Sequence, residues 1–139
     1  MQTNDEAEAI LEVIDAETQA FWKKDYQAFH DCWCQEPWIM RAGWWKRGGV
    51  TWRQGWEDIS NRIKQQFAAN PAPNLSADKV RRENINIRVG TDMAWVTFDQ
   101  YAPDAQEPDM DMPGLSHETR ILEKHDGCWK LVYLGYLLT

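Results

Sequence analysis

The 139-residue sequence predicts an α+β domain, with its helices in the first half of the chain and an antiparallel sheet in the second. Three observations carry this. Apolar residues recur at helical spacing across residues 5–33 and again across 56–70, and they alternate with period two across 84–101. Ser116 to Thr139 then reads as a hairpin: two runs rich in Ile, Leu, Val, Tyr and Trp flank Asp126-Gly127, a dipeptide that readily takes the positive φ angles of a two-residue turn. At this length a single domain, 1–139, buries about two thirds of its unfolded surface around one core.

Taken in order, Thr3-Asn4-Asp5-Glu6 offers a capping box, and Ile10, Ile14 and Phe21 with Leu11, Thr18 and Trp22 set the stripe of a helix over Asp5–Lys24. Asp25 restarts a shorter helix as its N-cap, with Tyr26, Phe29 and Trp33 on one face. Trp38 to Trp45 and Val50-Thr51-Trp52, joined by Lys46-Arg47-Gly48-Gly49, form a first hairpin. From Gly55 the period returns to helical through Trp56, Ile59, Ile63 and Phe67 until Asn70-Pro71 ends it. Ile85, Ile87 and Val89 alternate with Asn84, Asn86 and Arg88 in a strand. Gly90-Thr91-Asp92 turns into Met93–Tyr101, whose aromatics on both faces predict a central strand. The Pro- and acid-rich stretch Pro103 to Gly114 is expected to be a solvated loop.

The net charge of −7 argues against a nucleic-acid or anionic-membrane partner, because phosphate recognition draws on clustered Lys and Arg. The polar, acidic start has no export-signal pattern and no apolar run approaches the ~20 residues of a membrane span. Three cysteines then read as reduced thiols in a cytoplasmic protein. Nine tryptophans are available to pack a core or an interface or to line a cavity.

Ala94-Trp95-Val96-Thr97-Phe98-Asp99-Gln100-Tyr101, followed by Glu118-Thr119-Arg120-Ile121-Leu122 and Asp126-Gly127-Cys128-Trp129-Lys130-Leu131-Val132, resembles the NTF2-like, or SnoaL-like, superfamily. Within it the nearest likeness is to the association domain of calcium/calmodulin-dependent kinase II, and Asp25 to Phe29 extends it to essentially the whole chain. The resemblance implies a cystatin-like cone. In it a strongly curved antiparallel sheet packs on three helices, with a deep pocket at the wide end and a homodimer formed through the sheet. It also implies that Arg120 lines that pocket and can meet a carboxylate, whereas other basic positions of the association-domain pocket correspond here to Ile59, Thr97 and Tyr136. The fold hosts isomerases, dehydratases, cyclases, hydrolases and non-catalytic modules, so it does not choose among them.

Alternation places Glu118, Arg120 and Leu122 on one strand face. If the neighbouring strand turns Trp95, Thr97, Asp99 and Tyr101 to the same cavity, Asp99 becomes the partner of Arg120, either in an anion-binding site or in a structural ion pair. Tyr136 completes an aromatic lining, to which Trp33 and Trp56 are further candidates, and such a pocket favours a hydrophobic or aromatic acid. Ketosteroid-isomerase-type chemistry would need a tyrosine near Glu17 and a carboxylate near Arg41, which the sequence lacks. An inverted arrangement remains, with Glu17 or Asp99 as base and Tyr101 or Tyr136 as donor.

No cofactor or metal is expected. His30, Cys32 and Cys34 look like ligands, but on a helix only His30 and Cys34 share a face, and zinc wants three or four donors. Asp109-x-Asp111 lacks the glycine and distal glutamate of a calcium loop. His117 is placed at the pocket rim or in solvent, and His125 in solvent at the hairpin turn. The expectation is a small-molecule-binding domain with a proton-transfer activity. The rivals are an association module with a vestigial pocket and a subunit that escorts a larger partner.

Overall fold

The computed structural model describes residues 2–102 and 114–139, residues 2–4 by their backbone alone. The capping interaction of Thr3 and the acidic stretch holding Asp104, Glu107, Asp109 and Asp111 lie outside the described residues. Among the described residues three α-helices, α1 (Gln2–Lys23), α2 (Tyr26–Asp31) and α3 (Trp56–Ala69), and one short 3-10 turn, Ala77–Lys79, accompany six strands. The strands are β1 (Met40–Trp45), β2 (Gly49–Gln54), β3 (Arg81–Val89), β4 (Met93–Ala102), β5 (Gly114–His125) and β6 (Cys128–Leu138).

Local chemistry accounts for the boundaries. Lys24 takes a left-handed φ of 62° to end α1, and Asp25 caps α2 by accepting a 3.1 Å hydrogen bond from the Ala28 amide. Gly55 opens α3 at φ 85°, a conformation in which an L side chain is strained. Asp126 and Gly127 close the last hairpin at φ 51° and 81°, both positive as a type I′ turn requires.

Two expectations change. Helix α2 stops at Asp31 rather than at Trp33, because Cys32 and Cys34 pair with the edge of β6: the Leu131 amide donates to Cys32 O and the Cys34 amide to Leu131 O, each at 2.9 Å. Those strand-like bonds compete with another helical turn. The sheet is also mixed rather than wholly antiparallel. Its order is β2-β1-β6-β5-β4-β3, and β1 runs parallel to β6, with Arg41 opposite Leu134 and Gly43 opposite Tyr136. The closing hairpin therefore occupies the middle of the sheet, and β4 lies inside the edge. On edge strand β3 the alternation breaks at a bulge between Glu83 and Asn86, which leaves Ile85 exposed.

The three α-helices cover one face. Helix α1 packs on β6 and β3, and α3 on β1 and β2. Ile10, Ile14, Phe29, Trp33, Ile59, Ile63, Val96, Leu122 and Leu131 form the core between helices and sheet.

Candidate functional site

The inner face of the sheet carries charge where a core would ordinarily be apolar. Glu17 from α1, Arg41 from β1, and Glu118 and Arg120 from β5 are all buried, together with Gln100 and Tyr136. Of these two acids and two arginines, Glu118 and Arg120 pair directly, which makes the burial of those two charges tolerable. Arg120 Nη1 donates to Glu118 Oε1 at 2.8 Å, and Ser116 Oγ donates to Glu118 Oε2 at 2.5 Å. Residues 116, 118 and 120 alternate on one strand, so period two alone brings the carboxylate to the guanidinium. Arg120 also lies 5.1 Å from the Phe98 ring centroid.

Arg41 is held differently. It makes no hydrogen bond or ion pair with a described residue, and its Nε is buried without a partner. Its guanidinium packs instead over the rings of Phe21, at 5.2 Å, and Tyr136, at 6.0 Å. Gly43 permits this arrangement, because a Cβ there would stand 2.5 Å from the Tyr136 ring. The Tyr136 hydroxyl in turn shares a 2.6 Å hydrogen bond with Thr51.

Two spaces share Phe21, Arg41 and Tyr136 in their walls. The inner one, bordered by Glu17, Gln100, Glu118 and Arg120, has a volume of about 20 Å³, room for about one water molecule. Arg120 Nε and Gln100 Oε1 on its border also lack hydrogen-bond partners among the described residues. The outer one, between α3 and the β1–β2 hairpin, measures about 160 Å³ and adds Thr51, Arg53 and Arg62 to its walls. Arg53 is partly engaged by Asp58 at 3.5 Å.

Burial pushes the Glu17 carboxyl above the usual carboxylate range, Arg120 and Arg41 oppose that rise, and Glu118 adds to it. A raised folded-state value means that the folded chain holds this proton more tightly than the unfolded chain does. The contribution to stability is therefore full below the ordinary carboxylate value of about 4.3 and declines as pH rises through and above it. Glu17→Gln removes that decline. Urea unfolding between about pH 4 and pH 7 is expected to show the variant gaining on the wild type as pH rises; parallel curves would contradict a buried, protonatable Glu17.

The sequence-derived candidates divide between the two faces. Glu17, Arg120 and Tyr136 converge on the interior space. Trp95, Thr97, Asp99 and Tyr101 lie on the opposite, outer face, because Ala94, Val96, Phe98 and Gln100 take the inward positions of β4. Asp99 is consequently not the partner of Arg120. It accepts hydrogen bonds from Asn84 Nδ2 at 2.8 Å and pairs with His117 Nδ1 at 2.7 Å, contacts that hold its carboxyl below the usual range. These residues, with Thr97 and Thr119, line an outer groove of about 450 Å³. Tyr101 lies beneath Arg81, at 4.4 Å. Trp33 is fully buried against Phe29 and lines neither space, while Trp56 stacks on Phe29 and borders a separate cleft at the start of α3.

Arg41, Arg53 and Arg62 were not expected at the site. Arg41 lies in an otherwise apolar strand, Met40–Trp45, and a charge that interrupts such a run was the available signal.

The comparisons agree with this architecture. The family model of the SnoaL-like domain matches residues 10–136, and the chain belongs to that family. An NTF-2-like protein of unknown function from Shewanella oneidensis MR-1 superposes with a TM-score of 0.67 at 19% identity, covering 99% of both chains. A protein of the NTF2-like family from Streptomyces avermitilis, provisionally described as a dehydratase, gives 0.66 at 13% identity over 98% of this chain and 97% of its own. A protein from Thiobacillus denitrificans, provisionally described as a calcium/calmodulin-dependent protein kinase type II association domain, gives 0.67 at 12% identity over 91% and 92%. At these identities the likeness establishes the cystatin-like, NTF2-like fold alone. A search of the curated proteins finds no match.

Proposed function

We propose that the domain binds a small organic acid in the space between α3 and the β1–β2 hairpin. The carboxylate would meet Arg41, and the apolar body would lie against Phe21, Trp45 and Tyr136. The observation that carries this is the Arg41 guanidinium: buried, without an ion-pair partner among the described residues, and bordering a cavity whose walls hold two more arginines. A buried cation without an anion is costly, and a bound carboxylate supplies the missing partner through charge-assisted hydrogen bonds. The volume of about 160 Å³ falls below the ~300–1,000 Å³ of sites for drug-sized molecules, so the ligand is a small acid. Glu17, whose carboxyl burial pushes above the usual carboxylate range on the inner side of Arg41, is the group suited to proton transfer in an isomerase- or dehydratase-like reaction.

A thermal-shift screen of small aliphatic and aromatic carboxylates is expected to raise the melting temperature of the wild type, and Arg41→Met is expected to abolish that response while still folding. No stabilisation by any acid of the panel would count against the reading.

The outer face favours self-association as a companion property. Met93, Trp95 and Leu137 are each at least half exposed on it, apolar side chains suited to a second copy of the chain. Light scattering on the same samples is expected to give a dimer that persists in Arg41→Met. A large discrete oligomer without ligand response would favour the non-catalytic association module.

A further inference from the structure

At the far end of the sheet from the arginine site, three donors of different chemistry converge. Cys34 follows α2, while Glu123 and His125 stand two residues apart at the end of β5. One ligand atom from each lies within 4.8 Å of the other two. Cys34 Sγ is 3.8 Å from His125 Nε2, and Glu123 Oε1 is 2.9 Å from the same nitrogen.

Two arrangements could explain such a trio. In a Cys-His-acid relay the acid holds one ring nitrogen and the thiol faces the other. Here the thiol and the carboxylate both face Nε2, so the acid does not orient the ring for the cysteine. A shared metal ion needs the opposite geometry, with every donor atom pointing at one centre. Bonds of ~2.3 Å to sulfur and ~2.0–2.1 Å to nitrogen or oxygen place tetrahedral donors about 3.3–3.6 Å apart. The observed 3.8 Å and 2.9 Å bracket that range, and modest side-chain rotations would meet it.

We propose that Cys34, Glu123 and His125 form a binding site for a borderline-soft divalent cation of the zinc class. Thiolate, imidazole and carboxylate together suit such an ion and do not suit calcium or magnesium, which take oxygen donors. The scaffold is firm. Cys34 is tied to β6 through the Leu131 carbonyl, and the positive φ angles of Asp126 and Gly127 fix the turn beside His125. Burial, with Glu123 and Glu36 adding negative charge, raises the Cys34 thiol above its ordinary value. A cation arriving there reverses that preference, takes the thiolate and releases its proton to solvent. The ion would bridge the connector after α2 to the central hairpin. Three protein ligands leave a fourth position for water or a further ligand.

The site is independent of the carboxylate pocket and is tested without reference to it. Chelator-treated full-length protein titrated with Co²⁺ is expected to develop, at one equivalent, visible bands of tetrahedral cobalt and a near-ultraviolet thiolate-to-metal band, both displaced by Zn²⁺. Cys34→Ser should lose the charge-transfer band, and His125→Ala should weaken Co²⁺ binding by at least about tenfold. His125 is exposed, so that variant decides the matter even if Cys34→Ser fails to fold. Cys128, a free thiol across the turn from His125, is the control: Cys128→Ser should leave the bands unchanged. Absence of a one-equivalent transition, a band that survives Cys34→Ser, unaltered affinity in His125→Ala, or loss of the band in Cys128→Ser would overturn the assignment.

Discussion

Glu118→Leu is expected to destabilise the fold by about 3–5 kcal/mol, because it leaves Arg120 charged and buried without its carboxylate. The two residues are 4% and 3% exposed, so water does not replace the lost partner. Removing both charges should behave differently. In Glu118→Leu with Arg120→Met the desolvation cost of each ion disappears along with their attraction, and most of the lost stability should return. Urea unfolding of the wild type, the two single variants and the double variant measures this directly. A single-variant loss below about 1 kcal/mol, the scale of a surface pair, would mean that the interior is wetter than its geometry implies. Failure of the double variant to recover would place the loss in packing rather than in charge.

Trp33→Ala is the second large effect, at about 3–5 kcal/mol, the range for truncating a buried aromatic. The residue is 1% exposed, its ring lies 5.9 Å from that of Phe29 between centroids, and its backbone bridges to Leu131. The test separates the two roles its aromatic character suggested. If Trp33 is core, the melting temperature falls while the affinity of the remaining folded protein for a carboxylate is unchanged. A selective loss of affinity would return Trp33 to the ligand site. Trp33→Phe should be milder than its loss of volume suggests, because the indole Nε1 is buried without a hydrogen-bond partner and the substitution removes that unpaired donor.

Where periodicity is strong, the elements were legible. The stripe Ile59, Ile63, Phe67 in α3 and the Asp126-Gly127 turn both read directly from residue type. Parallel pairing of β1 with β6 did not, because nothing in Met40–Trp45 encodes which distant strand it meets. The site was half legible for a related reason. Glu118 and Arg120 share a face by alternation, and the ion pair follows from that spacing alone. Assigning Asp99 to Arg120 required knowing which face of β4 points inward, and that strand carries Phe98 on one side and Trp95 and Tyr101 on the other. Period two locates the two faces of a strand but does not say which is buried when both are aromatic. The Cys34, Glu123 and His125 cluster was hidden by the same limit: the first two lie about 90 positions apart in the sequence, and the bonding of Cys32 and Cys34 to Leu131 helps bring them together.

That parallel pairing also bears on how the chain reaches its fold. Strands β3 to β6 follow one another as a meander, so their contacts close over short stretches of sequence. Met40–Trp44 pairs with Tyr133–Leu137 across more than ninety intervening residues, a closure whose entropic cost falls due before any of its contacts can form. During synthesis the first hairpin and α1 emerge long before the strand that must receive them. The seam between the two halves of the sheet thus forms late, and until it does the apolar edge of β1 remains open to other chains.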